Sequence, residues 1–111
     1  LVVKDIKVQI QKLDGLSMAE LRDTADSMKQ KLGSGIVVLG AVTDGKAFIV
    51  ASVTKDLTPR IQAGALIKEL APVIGGGGGG RPDFAQSGGP GTGELAKALE
   101  LVPGLVERLA V

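Results

Sequence analysis

Several residue types that carry chemistry are absent from the sequence. It contains no cysteine, histidine, tryptophan or tyrosine, and its aromatic residues are Phe48 and Phe84. Without cysteine there is no disulfide framework and no thiolate nucleophile. Because histidine is missing as well, we expect neither a structural zinc site nor a catalytic set that pairs serine or cysteine with histidine. Two aromatic residues are also too few to stack a single nucleic-acid strand on aromatic platforms.

Length and charge set further limits. The 111 residues suit one globular domain, residues 1–111, with a core of modest size. The 13 basic and 12 acidic residues give a net charge of +1, which allows a local basic patch but not a strongly basic surface. No apolar run is long enough to span a membrane and no signal peptide is recognisable, so we expect a cytoplasmic protein without a membrane partner. The chain starts at Leu1, which is consistent with a piece cut from a longer protein.

The first elements are a strand and a helix. Residues 6–12 alternate apolar and polar side chains, which is typical of a strand with one buried face. Ser17 followed by Glu20 is a capping-box pattern that begins a helix, and Gly33 ends that helix. The two elements together predict a strand that leads into an amphipathic helix.

A hairpin follows the helix. The apolar runs 36–42 and 46–53 flank Asp44-Gly45, a strong two-residue turn signal, so they are predicted to pair antiparallel in the middle of a sheet. The order strand, helix, hairpin, helix, loop, helix indicates an α/β fold of the layered α+β kind. We expect a small mixed sheet with this central hairpin, packed against three to four helices.

The second half predicts more helices. Thr58-Pro59 suits an N-cap followed by a first helical position, so a second helix is predicted to begin between there and residue 63. Gly64 suggests that another backbone or a ligand comes close to this helix, and Pro72 should bend or shorten its last turn. Thr92 is expected to cap a third helix, which Pro103-Gly104 interrupts.

A run of six glycines is the most unusual stretch of the sequence: Gly75, Gly76, Gly77, Gly78, Gly79 and Gly80. Ordering six glycines costs more backbone entropy than ordering any other six residues. An ordered glycine run therefore needs a compensating interaction. The usual one is close approach of a partner to the main chain, with successive N–H groups converging on an anion. Arg81 follows directly and has a planar guanidinium suited to phosphate. We therefore predict an anion-binding glycine loop, and a flexible linker is the alternative.

Better-known glycine motifs do not fit this run. A P-loop ends in Gly-Lys-Ser or Gly-Lys-Thr between a strand and a helix, whereas here Arg81 follows the run and a helix is predicted before it. A dinucleotide-binding fingerprint fails on the same flanks. Asp83 stands nearly alone, so a local ion pair or turn with Arg81 is the simpler expectation than a metal site.

The string from Gly75 to Gly89 carries a resemblance. Six glycines followed by Arg-Pro-Asp-Phe-Ala-Gln-Ser-Gly-Gly resemble the signature of the C-terminal domain, of the DHHA1 family, of bacterial alanyl-tRNA synthetases. The resemblance also includes Thr-Lys-Asp-Leu at 54–57, Ala63-Gly64 and Val102-Pro103. It therefore spans nearly the whole chain.

The resemblance implies a role that composition does not show. In such synthetases an N-terminal catalytic domain uses ATP and magnesium to join alanine to tRNA, and a zinc-dependent domain hydrolyses mischarged tRNA. The C-terminal domain docks the outer corner of tRNA(Ala). We therefore expect this fragment to be non-catalytic and without a cofactor of its own, with tRNA(Ala) and the other domains of the parent as partners. A helical segment that normally contributes to dimerisation is missing here, which leaves a homodimer open.

The glycine run, Arg81 and Gln86 are the central RNA-binding candidates. The glycines present main-chain N–H groups, Arg81 supplies charge, and Gln86 can hydrogen-bond ribose or a base edge. Phe84 is expected to pack under the loop rather than to stack on RNA. Three more basic residues would extend the positive surface: Lys55, Arg60 and Lys68.

Two other functions stay open. The domain could mediate dimerisation or hold other domains without touching RNA. Alternatively, it could grip nucleic acid beside the metal centre of a DHH-type phosphoesterase. Related phosphoesterases commonly have a histidine after the glycines, where this chain has Arg81.

Overall fold

The computed structural model describes residues 1–111 and contains a six-stranded sheet with helices on both faces. The strands are β1 (Val2–Val3), β2 (Ile6–Lys12), β3 (Ile36–Thr43), β4 (Lys46–Val53), β5 (Gly77–Gly80) and β6 (Phe84–Gly89). The helices are α1 (Met18–Leu32), α2 (Ala63–Leu70), α3 (Leu95–Glu100) and α4 (Val102–Leu109). The predicted α/β fold, with a mixed sheet and three to four helices, is confirmed. None of these helices is long and apolar enough to cross a bilayer.

The sheet has the strand order β1-β2-β3-β4-β6-β5. Strands β2 and β3 are parallel and are joined by α1, and all the other pairs are antiparallel. The β3–β4 hairpin lies at the centre, as predicted. Asp44 and Gly45 both have positive φ angles, 52° and 76°, which two-residue hairpin turns require.

Helices cover the two faces of the sheet unequally. On one face α1 packs on β3 and β4, where Leu21 and Ala25 join Val37, Leu39 and Val50 in a small core. On the other face α2 packs on β4, β5 and β6, and α2, α3 and α4 contribute to the larger core. The outer strands β6 and β5 are therefore backed by α2 on one face and left largely open on the other.

Local signals set the ends of α1 as predicted. The Ser17 hydroxyl accepts from the Glu20 N–H at 3.1 Å, and the Glu20 carboxylate accepts from the Ser17 N–H at 2.9 Å. Gly33 ends the helix with a φ of 78°. The capping box thus satisfies two of the backbone N–H groups that lack a partner at the start of the helix.

The prediction of a glycine loop is wrong for residues 77–80. These glycines form the edge strand β5, paired antiparallel with β6 so that Gly78 lies opposite Ser87 and Gly79 opposite Gln86. Pro82-Asp83 makes the turn between the two strands, and Arg81 N donates to Phe84 O at 2.7 Å. Glycine has low β propensity, but pairing with a neighbouring strand overrides such local preferences.

Two predictions about α2 are confirmed. A Cβ on Gly64 would lie 3.3 Å from Gly80 O, so glycine lets the helix approach the backbone of β5. The regular helix ends at Leu70, and Pro72 lies in the 3₁₀ turn Ala71–Ile74 that follows. Helix α2 thus fixes the position of β5 from one side.

One predicted helix start is confirmed and two predicted helix boundaries are wrong. Helix α2 starts at Ala63, within the predicted interval from Thr58 to residue 63, and the Ala63 N–H donates to Pro82 O at 2.8 Å. Thr92 caps nothing and lies in a 3₁₀ turn ahead of α3. Pro103 does not interrupt a helix but sits in the first turn of α4, where its missing N–H costs no hydrogen bond. Tertiary contacts set these ends, and the local signals alone did not show them.

Candidate nucleic-acid interface

The first two glycines of the run serve the turn into β5. Gly75 has a left-handed φ of 72° and ends the preceding 3₁₀ turn. Gly76 N donates to Ala71 O at 3.0 Å, and a Cβ on Gly76 would collide with the carbonyl oxygen of Gly88. Their lack of a side chain is explained by the fold itself.

The four glycines of β5 face two different surroundings. A Cβ on Gly78 would lie 2.6 Å from Gln86 O and 2.9 Å from Ile67 Cγ2 of α2. A Cβ on Gly80 would lie 2.5 Å from Phe84 O. Because real Cβ atoms do not approach other atoms so closely, packing against β6 and α2 requires glycine at both positions.

At Gly77 and Gly79 an added Cβ would lie on the opposite side of the strand. We call this side the bare face of β5. A Cβ on either residue would meet nothing within 4 Å. Neither residue has a positive φ, so an L-amino acid can adopt the same backbone conformation. The fold therefore gives no reason for glycine at these two positions.

A cleft of about 350 Å³ lies beside the bare face. It brings together a guanidinium from α1, a second from the β5–β6 turn, and an amide from β6, and we call it the Arg22–Arg81 cleft. Its lining residues are Arg22, Gly79, Gly80, Arg81, Phe84, Ala85 and Gln86. Of the predicted site residues, the cleft thus contains Gly79, Gly80, Arg81 and Gln86.

Phe84 holds the guanidinium of Arg22 in place. Arg22 Cζ lies 5.2 Å from the centroid of the Phe84 ring, within the range of a cation–π contact. Phe84 is half-buried and packs, as predicted, instead of standing free, but it packs against the small core under α1 and not under a glycine loop. Since the Arg22 guanidinium lies over the ring, the ring supports a positive charge and is not a free stacking platform.

Arg81 is available to a ligand. Its side chain is 74% exposed, and its Nε lies 3.7 Å from Asp83 Oδ1, in the local ion pair expected from the sequence. An exposed pair at that distance contributes little stability. The guanidinium can therefore exchange Asp83 for a phosphate at small cost.

Gln86 leaves an acceptor unused. Its side chain is half-buried and lines the cleft, and its Oε1 has no hydrogen-bond partner. An unpaired buried polar atom is destabilising and uncommon in native proteins. Because this oxygen is shielded from solvent, a ligand donor can reach it only when the Gln86 side chain turns toward the cleft.

Lys29 extends the positive charge of the cleft along α1. It lines a second depression together with Arg22 and Arg81, and a third together with Lys55. Asp26 is the nearest acidic neighbour, with Oδ1 3.9 Å from Lys29 Nζ. A basic track thus runs from the cleft past Lys29 to Lys55.

Arg60 lies away from this track and binds the ends of the chain. Its Nε donates to Val111 O at 2.8 Å and its Nη2 to Lys4 O at 3.3 Å. Lys4 Nζ in turn donates to Ala110 O at 2.9 Å. Lys68 is exposed on α2 and does not line the cleft. The structure therefore does not bring Arg60 or Lys68 together with the other candidates.

Sequence reasoning missed Arg22 and Lys29. Both lie on the outer side of α1, where charged residues usually serve only as a solvated face. Arg81 and Phe84, which share a depression with them, are more than 50 residues away in sequence, and the contact depends on how β6 pairs with β4. No local signal could have identified them.

Comparison with known proteins gives consistent matches. Residues 5–108 match the DHHA1 domain. Alanine–tRNA ligases of Desulfosudis oleivorans and Shewanella loihica are 53% and 50% identical to the chain over 86% and 95% of its length. These stretches amount to 11% and 12% of the two ligases, so the chain spans a small part of the curated relatives it matches.

Solved structures show the same fold. The C-Ala domain of Aquifex aeolicus alanyl-tRNA synthetase superposes with a TM-score of 0.87 at 28% identity, and 95% of each chain is covered. A DHH-domain protein described as a member of the s1p family of ribosomal proteins superposes with a TM-score of 0.64 at 17% identity. That match covers all of this chain and 28% of the other, and it concerns the fold alone.

Proposed function

Since the chain belongs to the DHHA1 domain family and has the fold of a C-Ala domain, we propose that it is the tRNA-docking domain of an alanyl-tRNA synthetase. Its role is to bind the outer corner of tRNA(Ala), so that the other domains of the parent can charge the tRNA and hydrolyse mischarged products. ATP, magnesium and zinc belong to those other domains, and the setting is the cytoplasm. The fragment itself carries no catalysis.

The observation that supports RNA binding most directly is the Arg22–Arg81 cleft. Two guanidinium groups from different elements converge on one side of an exposed strand that has no side chains. Arginine binds phosphate with paired hydrogen bonds, and phosphate contacts supply most of the affinity for nucleic acids. Because the net charge is only +1, a local patch such as this one, and not the overall charge, has to supply the attraction.

The basic track argues for a backbone contact longer than one phosphate. Lys29 and Lys55 continue from the cleft along the end of α1. Such contacts position an RNA of defined shape without reading its bases. This suits a domain that recognises the folded corner of a tRNA. Arg60 is left out of the proposed interface, because the ends of the chain occupy its guanidinium.

A structural role is the second candidate, and one observation favours it. β5 lies at the edge of the sheet and carries neither proline nor lysine, so nothing blocks another strand from pairing with it. A second copy of the chain could add there. A third candidate is that the domain binds nucleic acid for a DHH-type phosphoesterase. Similarity of fold alone supports it.

Binding to two RNAs tests the proposal. Full-length tRNA(Ala) and a minihelix that lacks the corner are titrated with the chain across a salt series. We expect the tRNA to bind, the minihelix not to bind, and the affinity to fall as salt rises. Arg81→Ala should weaken binding while leaving the fold intact, and Lys68→Ala, which removes one positive charge elsewhere, should not.

Other results would favour the other roles. Equal binding to both RNAs, or binding to neither, would reject corner docking. A tight dimer in sedimentation without RNA affinity would support the structural role. Metal-dependent nuclease activity, which we expect to be absent, would support the phosphoesterase relationship.

A further inference from the structure

We propose that the Arg22–Arg81 cleft binds a single ribonucleotide unit, with its phosphate between the two guanidinium groups and its sugar against the bare face of β5. The proposal rests on the tRNA-binding function above. It goes further by identifying Arg22 and the missing side chains of Gly77 and Gly79 as determinants of binding. The ligand class is an RNA phosphodiester together with its ribose.

The first argument is that the fold requires glycine at only some positions of β5. At 78 and 80 a Cβ would collide with β6 or α2, so the fold requires glycine there. At 77 and 79 a Cβ would enter open space, so the fold does not. Glycine costs backbone entropy wherever it is ordered. Close approach of a ligand to the main chain accounts for the two positions that packing leaves unexplained.

The second argument is the charge beside that surface. Arg22 takes part in none of the chain's four ion pairs, and its guanidinium rests on Phe84. Arg81 has only the long contact to Asp83. Two poorly compensated guanidinium groups next to exposed backbone are suited to an anion that also has a neutral part able to lie against the strand. A ribonucleotide has both.

The third argument is the hydrogen-bond acceptor on Gln86 that has no donor. Gln86 Oε1 has no partner, and its side chain lines the same cleft as the two arginines. If the side chain turns this buried oxygen into the cleft, a ribose 2′-hydroxyl can donate to it, and deoxyribose lacks this group. The phosphate meets donors and the sugar meets an acceptor, so the cleft matches RNA on both parts.

The test combines affinity with a map of the contact on the whole 111-residue chain. Affinities for the tRNA(Ala) transcript are measured for wild type, Arg22→Ala, Gly79→Ala and Gly104→Ala. Gly104 is a matched control, because a Cβ there also meets nothing within 4 Å but lies on α4. We expect Arg22→Ala to weaken binding by about tenfold, the value of one charged hydrogen bond. Gly79→Ala should also weaken binding, because its Cβ would hold the ligand off the strand. Gly104→Ala should bind like wild type.

Amide NMR spectra of the ¹⁵N-labelled chain then locate the RNA. We expect the tRNA to shift the amide signals of Gly77 to Gly80 and the Nε signal of Arg22. If the tRNA binds but shifts other residues, and Arg22→Ala and Gly79→Ala bind normally, this site is wrong while the tRNA-docking function stands. If no variant binds, including wild type, both are overturned. A cooperative urea unfolding transition in each variant, with no loss of stability, excludes loss of fold as the cause.

Discussion

Gly78 and Ile67 lie so close that a single methyl group does not fit between them. A Cβ on Gly78 would stand 2.9 Å from Ile67 Cγ2, and the carbonyl of Gln86 blocks it on another side at 2.6 Å. The next residue along the strand, Gly79, has no such neighbours. Adjacent glycines of β5 thus have opposite structural requirements.

This difference predicts that alanine at position 78 destabilises the fold and that alanine at position 79 hardly affects its stability. Gly78→Ala should lower the free energy of unfolding by about 1–3 kcal/mol, because β6 and α2 must move apart. Gly79→Ala should change it by no more than about 0.5 kcal/mol, as exposed substitutions usually do. Urea unfolding at pH 7 measures both. Equal losses of unfolding free energy in the two variants would show that β5 does not pack against β6 and α2 as described.

Gln86→Leu should separate stability from binding. Replacing the amide with an apolar group of similar shape removes the unpaired Oε1, so the free energy of unfolding should stay constant or rise slightly. Affinity for tRNA(Ala) should fall, because the acceptor for a ligand donor is lost. Thermal melts and RNA titrations of the same preparation check the two effects. A variant that loses stability but binds normally would assign the amide to packing alone.

Arg60→Ala tests whether this residue clamps the chain ends. Losing the hydrogen bonds to Val111 and Lys4 should cost about 1 kcal/mol, which lowers the melting temperature by about 4 °C or more. Affinity for tRNA should not change. Arg60→Lys is the informative comparison, because lysine keeps the positive charge but cannot reproduce the guanidinium fork. An RNA contact would survive that change, whereas the clamp would not.

The capping box of α1 predicts a dependence on acid. The hydrogen bond from the Ser17 N–H lowers the pKa of Glu20 below its ordinary value. The folded chain therefore binds fewer protons there than the unfolded chain. The resulting stabilisation is complete above the unfolded pKa of about 4.3 and is lost as the pH falls through the folded pKa.

Glu20→Gln should reduce this acid dependence when urea midpoints at pH 7 and pH 3 are compared. Ser17→Ala is the matched control. It removes the hydroxyl, at about 1 kcal/mol for a lost cap, but leaves the backbone N–H at position 17 to bind the carboxylate. Most of the acid dependence should therefore remain in that variant. If Glu20→Gln loses none of it, other carboxylates govern the acid response.

Sequence patterns predicted the parts of the fold that depend on neighbours along the chain. Residues 6–12, the capped start of α1 and the turn at Asp44-Gly45 were all recognisable, because alternation, caps and turns are local. The edge strand β5 was not, because nothing in a run of glycines specifies extension. Only the pairing with β6 and the contact with α2 make these residues a strand.

The candidate site divides in the same way. Arg81 and Gln86 could be identified from the sequence, since they follow the glycine run directly. Arg22 could not, because its position over Phe84 depends on the packing of α1 on the sheet. The charge of the cleft is shared between two elements, and the sequence near the glycines shows only one of them.

The contact between Lys4 and Ala110 joins residues that are 106 positions apart. With Arg60 holding both segments, the two ends of the chain lie side by side. A short linker could therefore connect them, and the chain could be reopened at the exposed turn Asp44-Gly45 to give a circular permutant. The sheet order would be unchanged in such a molecule, although its first strand would become β4 and its last β3.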